Sequence, residues 1–162
     1  MRWIDEKFRE DPGHYLTQTL IAFLSIALIA GAMLLLTEEE IVTAALGATA
    51  FIVFAMPKHD TARARSVVGG NAIGIGIGLL FSAFVRCDAL SLVPRAAFIG
   101  LVVALAIFGM VLTDTEHPPA AGNALAFAIV PVDLWLAFAA LGAVTALALV
   151  RFLLRNWLRD LV

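Results

Sequence analysis

Charge is what this chain has least of. Asp, Glu, Lys and Arg make up 15% of its 162 residues, where a soluble domain holds about a quarter. The charge present avoids five apolar runs, residues 16–36, 41–56, 67–85, 96–112 and 134–150, which contain none. With 62% hydrophobic residues and a mean hydropathy of +0.96, this excludes a soluble globular domain. It leaves an all-α membrane protein whose first partner is the lipid bilayer. A lone cysteine, Cys87, excludes an internal disulfide framework. The three histidines, His14, His59 and His117, lack metal-ligand spacing, so neither metal nor cofactor is expected. No nucleophile–base set is apparent, which argues against an enzyme and leaves no catalytic residue to name. Lys and Arg are scattered at the edges of the runs, which argues against nucleic acid as a partner. No long run carries a charge in its interior, as ion-driven pumps usually do, so a channel or facilitator fits better.

What is present divides into a polar, amphipathic segment (1–15), a transmembrane domain (16–154) and a tail (155–162). Trp3, Ile4 and Phe8 give the first segment an apolar side, and Pro12-Gly13 breaks it before the first run. That run, about twenty residues, is longer than a signal peptide's core and reads as a retained span. Two apolar stretches are short. Residues 41–56, ending at Pro57, span roughly 24 Å as a helix, and residues 120–130, ending at Pro131, roughly 17 Å, against a hydrocarbon core of about 30 Å. The expected fold is therefore four long transmembrane helices plus two short broken or half helices. Gly70, Gly74 and Gly78 form a packing ridge of the small-xxx-small kind. Arg151, Arg155 and Arg159 are four apart and read as one helix face reaching lipid phosphates, with Trp135 and Trp157 as interfacial anchors at its two ends.

The short stretches match each other. At an offset of 76, residues 36–51 and 112–127 share Leu36/Leu112, Thr37/Thr113, Glu40/Glu116, Ala44/Ala120, Ala45/Ala121, Ala48/Ala124, Ala50/Ala126 and Phe51/Phe127. The order of features also repeats: long span, Leu-Thr, acids, short small-residue segment, proline, long span. Two three-segment repeats with paired short segments point to a transport site. If all six runs cross, nine of the eleven Lys and Arg lie on one side; if the short runs re-enter and leave four spans, eight do. Both counts put the termini in the cytoplasm, across the cell (inner) membrane. A bundle this small is expected to form a homo-oligomer.

His117-Pro118-Pro119 followed by Ala-Ala-Gly, with Leu46-Gly47-Ala48-Thr49-Ala50 upstream and Val67-Val68-Gly69-Gly70 between them, resembles the HPP family. These are small integral membrane proteins named for that tripeptide and usually described as having four spans. The likeness runs roughly from residue 16 to 150. It implies a transporter-like protein, since plant and cyanobacterial members are associated with nitrite transport. The family often carries His after the Gly-Gly pair; here Asn71 stands there.

The expected pathway residues are His117, Pro118, Pro119, Gly122, Asn123, Gly47, Thr49 and Asn71. Prolines suit a helix start, and a half-helix N-terminus near Pro119 favours an anion. Thr49 and Asn123 offer uncharged hydrogen bonds, and His117 caps the turn or binds a proton beside a solute. Glu40 and Glu116, at matching repeat positions, are gate candidates. The expected function is a transporter or channel for a small solute such as nitrite, with a small anion or polar molecule as cargo. The alternative is a non-transporting subunit or sensor that docks a partner protein through the glycine face.

Overall fold

A computed structural model describes residues 6–37, 40–86, 91–131 and 134–162, all helix and connecting loop. A short α1 (Glu6–Glu10) leads into α2 (Pro12–Thr37). Then come α3 (Glu40–Ala55), α4 (Gly70–Val85), α5 (Leu92–Leu112), α6 (Pro118–Ile129) and α7 (Leu134–Leu154). Among the described residues, four helical segments are long and apolar enough to cross a membrane, with α3 and α6 as the shorter pair.

Several boundaries differ from the hydropathy reading, for local reasons. Helix α2 opens at Pro12, because proline needs no N–H partner in a first turn. Helix α5 opens at Leu92 after Ser91, and so takes Pro94 and Arg95 from the expected loop. Proline is tolerated that early in a helix. The third run begins as a π-turn over Arg65–Gly69 before it becomes α4.

The ends of the helices fix their directions. Trp135, opening α7, donates from Nε1 to the Leu36 carbonyl that closes α2 (3.2 Å). At the opposite end, Gln18 of α2 donates to the Phe54 carbonyl of α3 (2.6 Å). Helix α3 therefore runs from one end of the bundle to the other. Helix α6 runs parallel to α4: Gly70 lies against His117, Gly74 against Ala120, and Gly78 against Ala124 and Phe127. The two short helices thus traverse, and they are antiparallel to each other rather than meeting N-terminus to N-terminus. One expected result follows. With Cys87 replaced by serine, cysteines at Lys58 and Asp114 should react with an impermeant maleimide from one membrane face and a cysteine at Ser91 from the other. Labelling of Lys58 and Ser91 from the same face would contradict this path.

Helices α2 and α5 are peripheral and turn most of their apolar surface outward; α4 and α7 are the more enclosed spans. Alanines fill much of the core: Ala120, Ala124, Ala128, Ala140 and Ala148 are all buried. Such small residues let backbones approach where lipid removes the hydrophobic drive between helices.

The chain beyond α7 is a strap. Leu158 is buried, and Leu161 N–H donates to the Ala55 carbonyl (2.8 Å). Gln18, fully buried, donates to the Arg159 carbonyl (2.8 Å) and accepts from the Arg159 N–H (3.1 Å). The arginine ladder is corrected here. Helix α7 stops at Leu154, so Arg155 and Arg159 share no helix face with Arg151. Arg151 donates to the Pro57 carbonyl, Arg155 lies over the Phe152 ring, and Arg159 pairs with Asp11 (3.2 Å). The Pro57 carbonyl and the Asp11 carboxylate draw two of these three guanidinium groups.

Candidate functional site

Helix α5 ends in a Schellman turn. Asp114 N–H donates to the Val111 carbonyl (3.3 Å) and Thr115 N–H to the Met110 carbonyl (2.9 Å), with Asp114 left-handed at φ 54°. Aspartate adopts that conformation more readily than most residues because its short polar side chain bonds locally. Arg65 braces the turn, donating to the Thr113 carbonyl (2.6 Å) and pairing with Asp114 (3.1 Å). This geometry carries the chain inward, so that Thr115 and His117 are buried while Asp114 and Glu116 stay exposed.

His117 is fully buried. Its Nδ1 lies 2.8 Å from the Thr61 carbonyl and its Nε2 3.1 Å from Thr49 Oγ1. A carbonyl only accepts, so the proton sits on Nδ1; in the neutral ring, Nε2 then accepts from the Thr49 hydroxyl. The ring thereby ties α3 and the 60–62 turn to the start of α6. It makes no side-chain cap on its own helix, contrary to the capping expectation.

The α6 N-terminus is also a poorer anion site than its sequence suggests. Pro118 and Pro119 occupy its first two positions and carry no N–H. The next donor, Ala120 N–H, is bound to the His117 carbonyl (2.9 Å). None of the first three helical positions of α6 therefore offers a free N–H.

Deeper in, Asn71 donates from Nδ2 to the Val67 carbonyl (2.7 Å) and accepts from Asn123 Nδ2 (2.5 Å). Both amides are essentially inaccessible to solvent. Asn123 Oδ1 has no partner. A buried acceptor left unmet costs about 1–3 kcal/mol. Helices α4 and α6 come close enough for this pair because Gly70, Gly74 and Gly78 face α6.

Beside Thr61, the backbone partner of His117, lies a polar vestibule of about 330 Å³, lined by Asp60, Thr61, Arg63, Arg65, Asp114 and Glu116 among others. Arg63 pairs with Asp60 (2.5 Å) and Arg65 with Asp114. The vestibule thus holds one acid more than its arginines balance.

These contacts sort the expected site residues. Thr49, Asn71, His117, Pro118, Pro119 and Asn123 gather between the vestibule and the core, and Glu116 stands at the vestibule. Gly47 and Gly122 are exposed, with open space where a Cβ would go; they lie on other faces of α3 and α6 and do not join the site. Glu40 opens α3 at the far end of the bundle, so it cannot gate the same mouth as Glu116. Its side chain lies outside the described residues. The sequence reading missed Thr61, Thr115, Arg65 and Asp114. Their contribution is a backbone carbonyl, a turn and a brace, none of which has a composition signal.

The sequence matches the HPP transmembrane region over residues 8–160. The chain belongs to the HPP family. A transmembrane protein of Dictyostelium discoideum is 28% identical over 130 residues, covering 80% of this chain and 40% of that relative. This HPP protein therefore spans less than half of that relative's length. No solved structure matches it.

Proposed function

We propose that this HPP protein is a membrane transporter or channel for a small polar solute, and that the solute passes the Thr49–His117 and Asn71–Asn123 pairs. The observation that carries the reading is two hydrogen-bonded pairs of buried, uncharged polar side chains that join separate segments of the bundle beside a polar vestibule. Buried polar groups at membrane depth are expensive and mark solute paths. Nitrite enters only through the family likeness, as one candidate cargo among small anions and polar molecules.

The packing is compatible with two inverted repeats, α2–α3–α4 and α5–α6–α7. The first helix of each triplet is peripheral and the third is enclosed. The pairs α2·α3 and α5·α6 pack against each other, as do α3·α7 and α4·α6. On this reading both termini are cytoplasmic, in the cell's inner membrane, and the vestibule opens inward. On the same reading Phe127, fully buried one turn beyond Asn123, is the side chain that would have to move for a solute to pass.

The test is a panel of solutes, nitrite, formate and urea, offered to liposomes with and without the protein. At least one should enter roughly tenfold faster with it. Equal entry of all three would remove the transport reading.

A further inference from the structure

The orientation of the Asn71–Asn123 pair is set by its one carbonyl partner. Val67 C=O can only accept, so Asn71 must turn Nδ2 toward it. Asn71 Oδ1 then faces Asn123 and needs a donor, which fixes Asn123 Nδ2 on that side. Flipping either amide sets acceptor against acceptor. The atom left over, at a residue 1% exposed, is therefore an acceptor: Asn123 Oδ1.

Resting on the transport reading above, we infer that the solute held at this pair is a small neutral molecule donating an O–H or N–H to Asn123 Oδ1. Each amide nitrogen keeps a second hydrogen. A solute that both donates and accepts, such as urea, a carboxamide or an undissociated weak acid, can engage both amides.

Three independent features disfavour a bare anion. The unmet acceptor carries partial negative charge and would repel it, and against this the pair sets only two spare amide hydrogens and no positive charge. The first three positions of α6 offer no free N–H to an anion, two being proline and the third bonded to the His117 carbonyl. The vestibule has its two arginines paired with Asp60 and Asp114, with Glu116 in excess. No lysine or arginine is buried among the described residues to compensate. If nitrite is carried, its form at Asn123 is the protonated acid, which has the O–H that the anion lacks.

The experiment compares two probes in proteoliposomes at pH 8. Urea entry is followed by light scattering after rapid mixing, and nitrite entry under a potassium diffusion potential with valinomycin. Urea should enter roughly tenfold faster than into protein-free liposomes, while nitrite should match them. Asn123→Leu, which keeps a similar volume without the acceptor, should lower the urea rate by about tenfold. Accelerated nitrite without accelerated urea overturns the inference and leaves transport standing. Unchanged urea entry in a monodisperse Asn123→Leu protein also overturns it. Acceleration of neither probe by the wild type overturns the inference, and, with formate equally slow, the transport reading too. The wild-type comparison decides between the probes even if Asn123→Leu fails to fold.

Discussion

Gly74→Ala is expected to destabilise the protein by about 3 kcal/mol or more, at the upper end of what overpacking usually costs. A Cβ at Gly74 would fall on the Ala120 carbonyl oxygen, well inside any contact real side chains make, with the Ala124 nitrogen at 3.5 Å. The obstruction is helical backbone, which cannot swing aside as a side-chain tip can. Helices α4 and α6 must separate, and Asn123 then loses its bond to Asn71. Gly78→Ala should act similarly, since its Cβ would lie 2.5 Å from the Ala124 carbonyl oxygen and 2.8 Å from Phe127 Cβ. Gly76→Ala is the internal control. Nothing lies within 4 Å of its Cβ, so it should be neutral or stabilise the helix by up to about 1 kcal/mol. Thermal unfolding in one detergent, followed by tryptophan fluorescence, compares the three. If Gly74→Ala and Gly76→Ala melt together, α4 and α6 do not meet as described.

The contrast between these glycines marks how much of the molecule was legible beforehand. Spacing showed a ridge of Gly70, Gly74 and Gly78, since residues four apart share a helix face. It did not show what the ridge faces. That depends on α6 crossing parallel to α4, a relation between segments fifty residues apart to which local hydropathy is blind. The runs themselves were legible because lipid requires continuous apolar helix. Their ends lie a few residues from the hydropathy limits where Pro12 opens α2 and Pro94 falls in the first turn of α5. The arginine ladder fails because periodicity at 151, 155 and 159 implies helix past Leu154, where α7 stops. There the tail instead finds carbonyl and carboxamide partners on α2 and α3. Within the site, His117 and Asn123 stood out as polar residues in apolar surroundings. The 52-residue link from Asn123 to Asn71, and the use of a backbone oxygen at Thr61, left no trace in residue type. Pro118-Pro119 makes a weak anion cradle for a simpler reason. Helix N-termini bind anions through N–H groups, and proline has none.

His117→Ala is expected to cost about 2–4 kcal/mol, from two lost hydrogen bonds, a ring-sized cavity and two buried polar groups left unpaired. The loss should be structural first. Both ring nitrogens are spent on Thr61 and Thr49, so removal frees the 60–62 turn from the start of α6 and loosens the vestibule wall. Two further variants divide the effect. In His117→Asn the amide nitrogen reaches about as far as Nδ1 and can keep the Thr61 carbonyl. In His117→Gln the amide reaches about as far as Nε2 and can keep Thr49. Each should recover roughly half of the lost stability, and solute entry should recover in step with it. Rising stability with no return of entry in either variant would mean that the imidazole itself touches the solute. Entry that persists at the wild-type rate in His117→Ala would place the path elsewhere, because a route past Thr49 and the α6 start cannot ignore the ring that joins them.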